Sequence, residues 1–318
     1  MKGAREKANR DEMLVRAAWM YYDEGLTHEQ IARKLRLSRV SVTRLLKRAR
    51  SEGIVEIRLT RPAPLHYRLE RQLQAALGLQ DVIVVSTRAT AEETLDEVGR
   101  AGLMHLLASV QVGYRIGVGW STTVAHIAPH IQPLQRPPAC TVNELIGTMA
   151  GHANPYSISA PLAQALSARL ESLPVPAVVQ NPAARAALLA EERVYKALEQ
   201  ASRCDLAVVG LGEVGPECTL VRLGYLTAAQ MHHLQQHGAV GDALMQFYDD
   251  QGKPVTSPLQ DRLIALSLAD LQRIPYVIAL AAGPKKVLPI IGAAKGKLIH
   301  CLVTDVDTAQ AVLKHLKA

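Results

Sequence analysis

Four short segments set chemistry-bearing residues beside glycines, which let a ligand come close to the backbone. Gly117-Val118-Gly119-Trp120-Ser121-Thr122-Thr123 joins two glycines to three hydroxyls at what reads as a helix start. Hydroxyls and backbone N–H groups there favour an anion. The pattern is G-x-G only, without the third glycine and the distant acidic residue of a dinucleotide site. Gly210-Leu211-Gly212-Glu213 follows an apolar run, and Gly238-Ala239-Val240-Gly241-Asp242 leads to Phe247-Tyr248-Asp249. Gly283-Pro284-Lys285-Lys286 follows another such run. Asp242 can accept hydrogen bonds from sugar hydroxyls, and Lys286 at a helix start can meet a phosphate or a hydroxyl. Singly, these residues also fit a structural turn, a turn aspartate and a solvated lysine. Their joint occurrence in strand-end loops of one domain points to a site.

A second set of residues suits a different partner. Ser38-Arg39-Val40 opens a segment in which Val42, Leu45, Leu46 and Ala49 share one helical face. Val40, Thr43, Arg44 and Lys47 then point the other way. Arg pairs with guanine edges in a DNA major groove, and Val or Thr methyls touch thymine. Arg39, Arg48 and Arg50 fall nearer the flanks, where they would meet phosphates. A merely solvated helix face is the bland alternative, and the capped helix and short turn ahead of it favour DNA.

Other chemistries find less support. Cys140, Cys204, Cys218 and Cys301 form no C-x-x-C pair, so neither a zinc site nor a disulfide framework is expected. His126/His130 and His233/His237 have helical metal spacing but no third ligand. A sugar-phosphate isomerase or deaminase needs a general base and a ring-opening acid. Glu213, Asp242 and Asp249 could serve as base and His126 or His152 as acid, but no spacing compels the choice. No catalytic residue, metal or cofactor is expected.

The elements that must position these residues follow from the pattern. Residues 11–24 read as a first helix ended by Gly25. Thr27 with Gln30 forms a capping box for a second, and Ser38 caps a third that Gly53 ends. Ile54 to Leu59 alternates like the wing strand of a winged helix. Leu65, Leu69, Leu73, Ala76 and Leu77 mark a linker helix. Strand candidates follow at Asp81 to Val85, Arg115 to Gly119, Pro176 to Val179, Asp205 to Gly210, Tyr276 to Ala281 and Leu298 to Thr304. Their alternation with helical segments implies a mostly parallel sheet covered on both faces. Expected boundaries are 1–60 for an all-α or winged helix-turn-helix domain, 61–80 for the linker, and 81–318 for an α/β effector and oligomerisation domain.

The charge distribution agrees. Residues 1–62 carry 15 Lys/Arg against 8 Asp/Glu, whereas 63–318 carry 21 of each. The whole basic excess lies in the first fifth, which fits a polyanion partner bound through phosphate contacts. No apolar run approaches the about 20 residues that span a bilayer, and no signal-peptide core is visible. A cytoplasmic protein without membrane contact is expected.

The residues then become recognisable. Ala18-Trp19-Met20-Tyr21-Tyr22, Gly25-Leu26-Thr27, Ile31-Ala32, Leu37-Ser38-Arg39 and Val42-Thr43-Arg44-Leu45-Leu46 resemble the DNA-binding head of the SorC family of sugar-responsive regulators. Gly117 to Thr122, Cys204 to Gly212, Arg222-Leu223-Gly224-Tyr225, Gly238 to Asp242 and Asp261 through Asp305 resemble its effector domain. The resemblance implies a Rossmann-type fold related to sugar-phosphate isomerases and deaminases, and phosphorylated sugars or related polyols as effectors. It maps a phosphate loop onto Gly119, Ser121, Thr122 and Thr123. It maps further effector contacts onto Asp242, Lys286 and Arg222. Gly212 is expected beside them, and the expected DNA contacts, read from the third helix itself, are Ser38, Arg39, Val40, Thr43, Arg44, Lys47 and Arg48. Ser121 stands where the family often has Gly or Ala, and Leu145 to Gly151 lacks an Arg found nearby in some phosphosugar-binding members. An unphosphorylated sugar alcohol therefore stays open. Double-stranded operator DNA is the expected partner, and one small head reads few base pairs, so a homodimer or homotetramer is expected.

Overall fold

The computed structural model describes residues 2–55, 64–149 and 154–317, with side chains from Glu12 onward. The chain divides into two compact units, 1–62 and 63–318.

Among its described residues the first unit has three helices: α1 (Lys2–Tyr22), α2 (His28–Leu35) and α3 (Arg39–Ser51). α1 starts well before the expected Asp11, because Lys, Ala, Glu and Arg extend a helix without any apolar periodicity to announce it. Thr27 caps α2 in the expected capping box, accepting from Gln30 N while the Gln30 side chain accepts from Thr27 N at 2.8 Å. Ser38 caps α3 by accepting from Ser41 N at 3.1 Å. Ala17, Ile31, Ala32, Val42 and Leu46 form one small core, and Leu14, Ala18 and Ala49 form another. Most of the expected wing strand lies outside the described residues.

Among its described residues the second unit contains ten strands: β1 (Asp81–Val85), β2 (Arg115–Val118), β3 (Thr141–Glu144), β4 (Arg169–Glu171), β5 (Leu206–Gly210), β6 (Gly212–Glu213), β7 (Gly241–Ala243), β8 (Gln246–Tyr248), β9 (Tyr276–Leu280) and β10 (Cys301–Asp305). Seven form a parallel sheet in the order β1-β10-β9-β5-β2-β3-β4. Successive strand residues point to opposite faces. Accordingly Ala207, Val209, Val277 and Ala279 join one core cluster, while Leu206, Val208, Ile278 and Leu280 join the other. Both faces are dry, as a parallel sheet requires. Helix α4 (Leu65–Leu77), in the expected linker, buries Leu69 and Leu73 in the first of these clusters and so folds with the second unit.

Two expectations change. Pro176 to Val179 makes only isolated bridges, to Thr148 and Leu263, since Pro176 has no N–H for a ladder. β3 and β4 are strands that polar residues such as Asn143, Glu144 and Arg169 hide from an apolar-run reading. β6, β7 and β8 form a small antiparallel sheet beside the large one's carboxyl ends. All four cysteines are free thiols. Among the described residues no helix is long and apolar enough to cross a membrane.

Candidate functional site

After β2 the chain moves outward to β3 and β4, whereas after β5 it turns the other way towards β9 and β10. Connections that diverge from neighbouring strands leave a crevice at their carboxyl ends, where ligands bind in open α/β sheets. A cleft lies there. Its lining includes Trp120, Ser121, Thr122 and Thr123 after β2, Gly210 to Glu213 after β5, Asp242 of β7, and Lys286 after β9. Four glycine-containing segments, scattered over the sequence, thus converge.

The first wall is the turn into helix α6 (Thr122–Ala125), which comes after the long helix α5 (Ala91–Ser109) and β2. Ser121 caps it, accepting from Val124 N at 3.0 Å. At four residues α6 carries little macrodipole, so this wall offers hydroxyls and N–H groups more than a helix field. Gly119 is buried against Leu244 and sits behind the lining. Trp120 is held by its Nε1–H, which donates to Gly147 O at 2.8 Å, and it stacks on Tyr156.

The opposite wall carries the charge. Lys286 Nζ donates to Leu211 O at 2.9 Å and to Glu213 Oε2. Their side chains are 13% and 22% exposed, so this ion pair is largely removed from water. Burial raises the Glu213 carboxyl, but the Lys286 charge and its hydrogen bond outweigh that and hold it below the ordinary value. Asp242 is 8% exposed and pairs with Gly212 across β6 and β7. A Cβ on Gly212 would overlap Asp242 Oδ1, so only glycine lets the carboxylate lie there. Burial pushes the Asp242 carboxyl up to about 7; Lys286 and the Met245 N–H oppose the rise, and Glu213 adds to it.

Leu244 and Met245 are cleft residues that sequence reasoning missed. They form the two-residue loop between β7 and β8, with φ of 52° and 62°. Such hairpin loops normally use Asn-Gly or Asp-Gly. Here both side chains are buried at the cleft, so packing holds a strained backbone that no turn residue signals. Arg222 stays outside the lining: it is exposed and donates to Thr219 Oγ1 at 3.3 Å.

Of the residues nominated for an enzyme, Glu213 and Asp242 line the cleft, whereas Asp249 and His126 do not. Asp249 accepts from Gln251 N and Lys253 N in a turn, and His126 lies 4.0 Å from Glu92. His152 is outside the described residues. No group of three or more described His, Cys, Asp or Glu is arranged to hold a metal.

In the first unit, α3 buries Val42, Leu46 and Ala49 and partly covers Leu45. Arg39, Val40, Thr43, Arg44 and Lys47 are exposed, Val40 at 60%. Among the described residues the side chains of Arg39, Arg44 and Lys47 make no ion pair. Arg48 pairs with Glu52, and Arg50 donates to the Tyr22 hydroxyl. Thr43 Oγ1 donates to Arg39 O at 3.0 Å.

Comparisons with known proteins agree on both units. A family model described as "Putative sugar-binding domain" matches residues 63–314, and one described as "Homeodomain-like domain" matches 9–56. The transcriptional regulator LsrR of Escherichia coli is 32% identical over 314 residues, covering 96% of this chain and 95% of the relative. The deoxyribonucleoside regulator of Bacillus subtilis is 30% identical over 310 residues, covering 96% and 99%. The crystal structure of the full-length sorbitol operon regulator SorC from Klebsiella pneumoniae superposes with a TM-score of 0.74 at 27% identity, covering 95% of this chain and 98% of that one. A helix-turn-helix head, a sugar-binding α/β domain and relatives that are transcriptional regulators over nearly their full length leave one assignment. This chain belongs to the SorC family, as a sugar-responsive, DNA-binding transcriptional regulator.

Proposed function

We propose that the cleft between the ends of β2 and β5 is the effector site, and that a small carbohydrate bridges its two walls. Thr122, with the Ser121 to Thr123 turn set by Gly119, contacts one end. Asp242, in the space Gly212 leaves, accepts hydroxyl hydrogen bonds at the other, beside Lys286. The convergence of four distant glycine-containing segments on one crevice supports this reading most. A cleft with an aromatic wall and a few converging polar groups is also what small-ligand sites look like. Thermal-shift screening of the full chain with sugars, sugar phosphates and polyols tests it. A ligand present at about 100 times its Kd stabilises by about 2.7 kcal/mol. No shift with any of these compounds would contradict the proposal.

On the DNA side, α3 enters the major groove, with Ser38, Arg39 and Arg48 at its edges and Val40, Thr43, Arg44 and Lys47 facing bases. Arg44→Ala is expected to weaken the cognate operator by roughly 1 to 3 kcal/mol and to relax specificity at one position. Lys47→Ala should weaken it as well. Unchanged affinity in both variants, read by fluorescence anisotropy, would remove α3 from the interface. The protein works as a homodimer or homotetramer, which places several heads on one operator. Sedimentation as a monomer both free and on DNA would contradict that.

A further inference from the structure

The contacts of Thr43 carry a further step, which rests on α3 being the DNA-reading helix. Thr43 lies on its exposed face, between Val40 and Lys47. A threonine side chain ends in two branches, a hydroxyl and a methyl, and here the head itself takes the hydroxyl. Thr43 Oγ1 donates its one proton to Arg39 O at 3.0 Å. It lies 3.3 Å from His28 Nδ1, and with that proton spent it accepts there from the ring N–H. His28 opens α2 directly after the capping Thr27, and its ring centroid lies 5.1 Å from that of Tyr21, near the end of α1. A chain of contacts from α1 through α2 thus ends on this hydroxyl.

This restricts what Thr43 offers a base pair. In the major groove guanine presents N7 and O6, adenine N7 and thymine O4 as acceptors, and a hydroxyl reads these only by donating. The Thr43 proton is already committed. Thymine also presents a C5-methyl, which an apolar contact recognises, and Cγ2 is the branch of Thr43 left to make that contact. We propose that Thr43 reads a thymine through its methyl, and that His28 is a positioning residue that, with Arg39 O, keeps the hydroxyl turned into the head. The competing outcome is a base amino group of adenine or cytosine donating to the remaining lone pair of Oγ1.

Anisotropy of the full chain on an operator duplex selected from a randomised pool tests this, with deoxyuridine replacing one thymine at a time. Deoxyuridine removes only the C5-methyl and keeps the base pairing. At one thymine the wild type should bind the uracil duplex about fourfold more weakly, which is what one buried methyl group is worth. Thr43→Ser keeps the hydroxyl but loses the methyl, so it should bind the thymine and uracil duplexes alike at that position. Thr43→Val keeps the methyl without the hydroxyl and should show the wild-type preference for thymine there. His28→Ala releases the hydroxyl on one side and should shrink the preference, and adding Thr43→Val should restore it. A Ser variant that keeps every thymine preference of the wild type overturns the proposal, as does a Val variant that loses the one at this position. An undiminished preference in His28→Ala overturns the part given to His28. If these fail while Arg44→Ala still weakens the operator, α3 stands as the reading helix. If Arg44→Ala, Lys47→Ala and every uracil duplex bind like the wild type on its operator, that reading falls too.

Discussion

Replacing Asp242 with Ala is expected to weaken effector binding by more than about tenfold. Removing one partner of a hydrogen bond to a charged group typically costs about 1.5 to 3 kcal/mol, and about 1.4 kcal/mol is a factor of ten. Asp242 is the sharper probe of the two charged contacts proposed on that wall. Lys286→Ala would also leave Glu213, whose side chain is only 22% exposed, without its partner. Breaking a buried ion pair from one side costs about 3 to 5 kcal/mol, and the residual exposure here puts the cost near the lower end. A loss of response in that variant would therefore mix lost binding with lost stability. Asp242→Ala carries no such debt, because it removes a carboxylate that burial already disfavours as an anion. Titration with the compound found by thermal shift checks the expectation. Wild-type affinity in the variant would place the effector elsewhere.

The second large effect is a dependence on pH. Burial raises the Asp242 carboxyl to about 7, above an unfolded value near 3.9. The folded protein thus holds this proton more tightly than the unfolded chain. The associated stabilisation is fully present below about pH 4 and is lost as pH rises through about 7. Asp242→Asn should flatten that part of the stability profile. Effector binding runs in the opposite sense, because the ionised carboxylate is the better acceptor. Affinity for a ligand that requires the anion should be about tenfold weaker at pH 6 than at pH 8. Calorimetry across this range checks it against the Asn variant, which should show no slope from this group. Equal slopes in both would assign the titration to another residue.

How much of this was legible in the sequence depends on the range of the interaction. The caps at Thr27 and Ser38 and the buried stripe of α3 are local, and they read directly from residue types at fixed spacing. The central strands β5, β9 and β10 are dry on both faces, so they read as largely apolar runs of Val, Ile, Leu and Ala. The edge strand β4 breaks the rule, whereas the other edge, β1, is Asp-Val-Ile-Val-Val and reads as a strand. β4 is Arg-Leu-Glu, and nothing in three residues of that kind separates a strand from a loop. The cleft was half visible. Glycines beside Ser121, Asp242 and Lys286 marked the segments, but their convergence needs the strand order, which depends on contacts between distant residues. The Glu213–Lys286 pair joins residues far apart in sequence and has no local signal. Leu244 and Met245 were invisible because their turn runs against the usual residue preferences and is held in place by packing.

Coupling between the two units is the central functional claim, and a ligand shifts an equilibrium only by its differential affinity for the two states. One measurement tests it most directly: the affinity of the full-length protein for an operator fragment, followed by anisotropy as the carbohydrate identified by thermal shift is titrated in. The wild-type operator affinity should change as the cleft saturates, and Asp242→Ala should require more than about tenfold higher concentrations for the same change. An operator affinity that stays constant while calorimetry shows the cleft saturated would contradict the account.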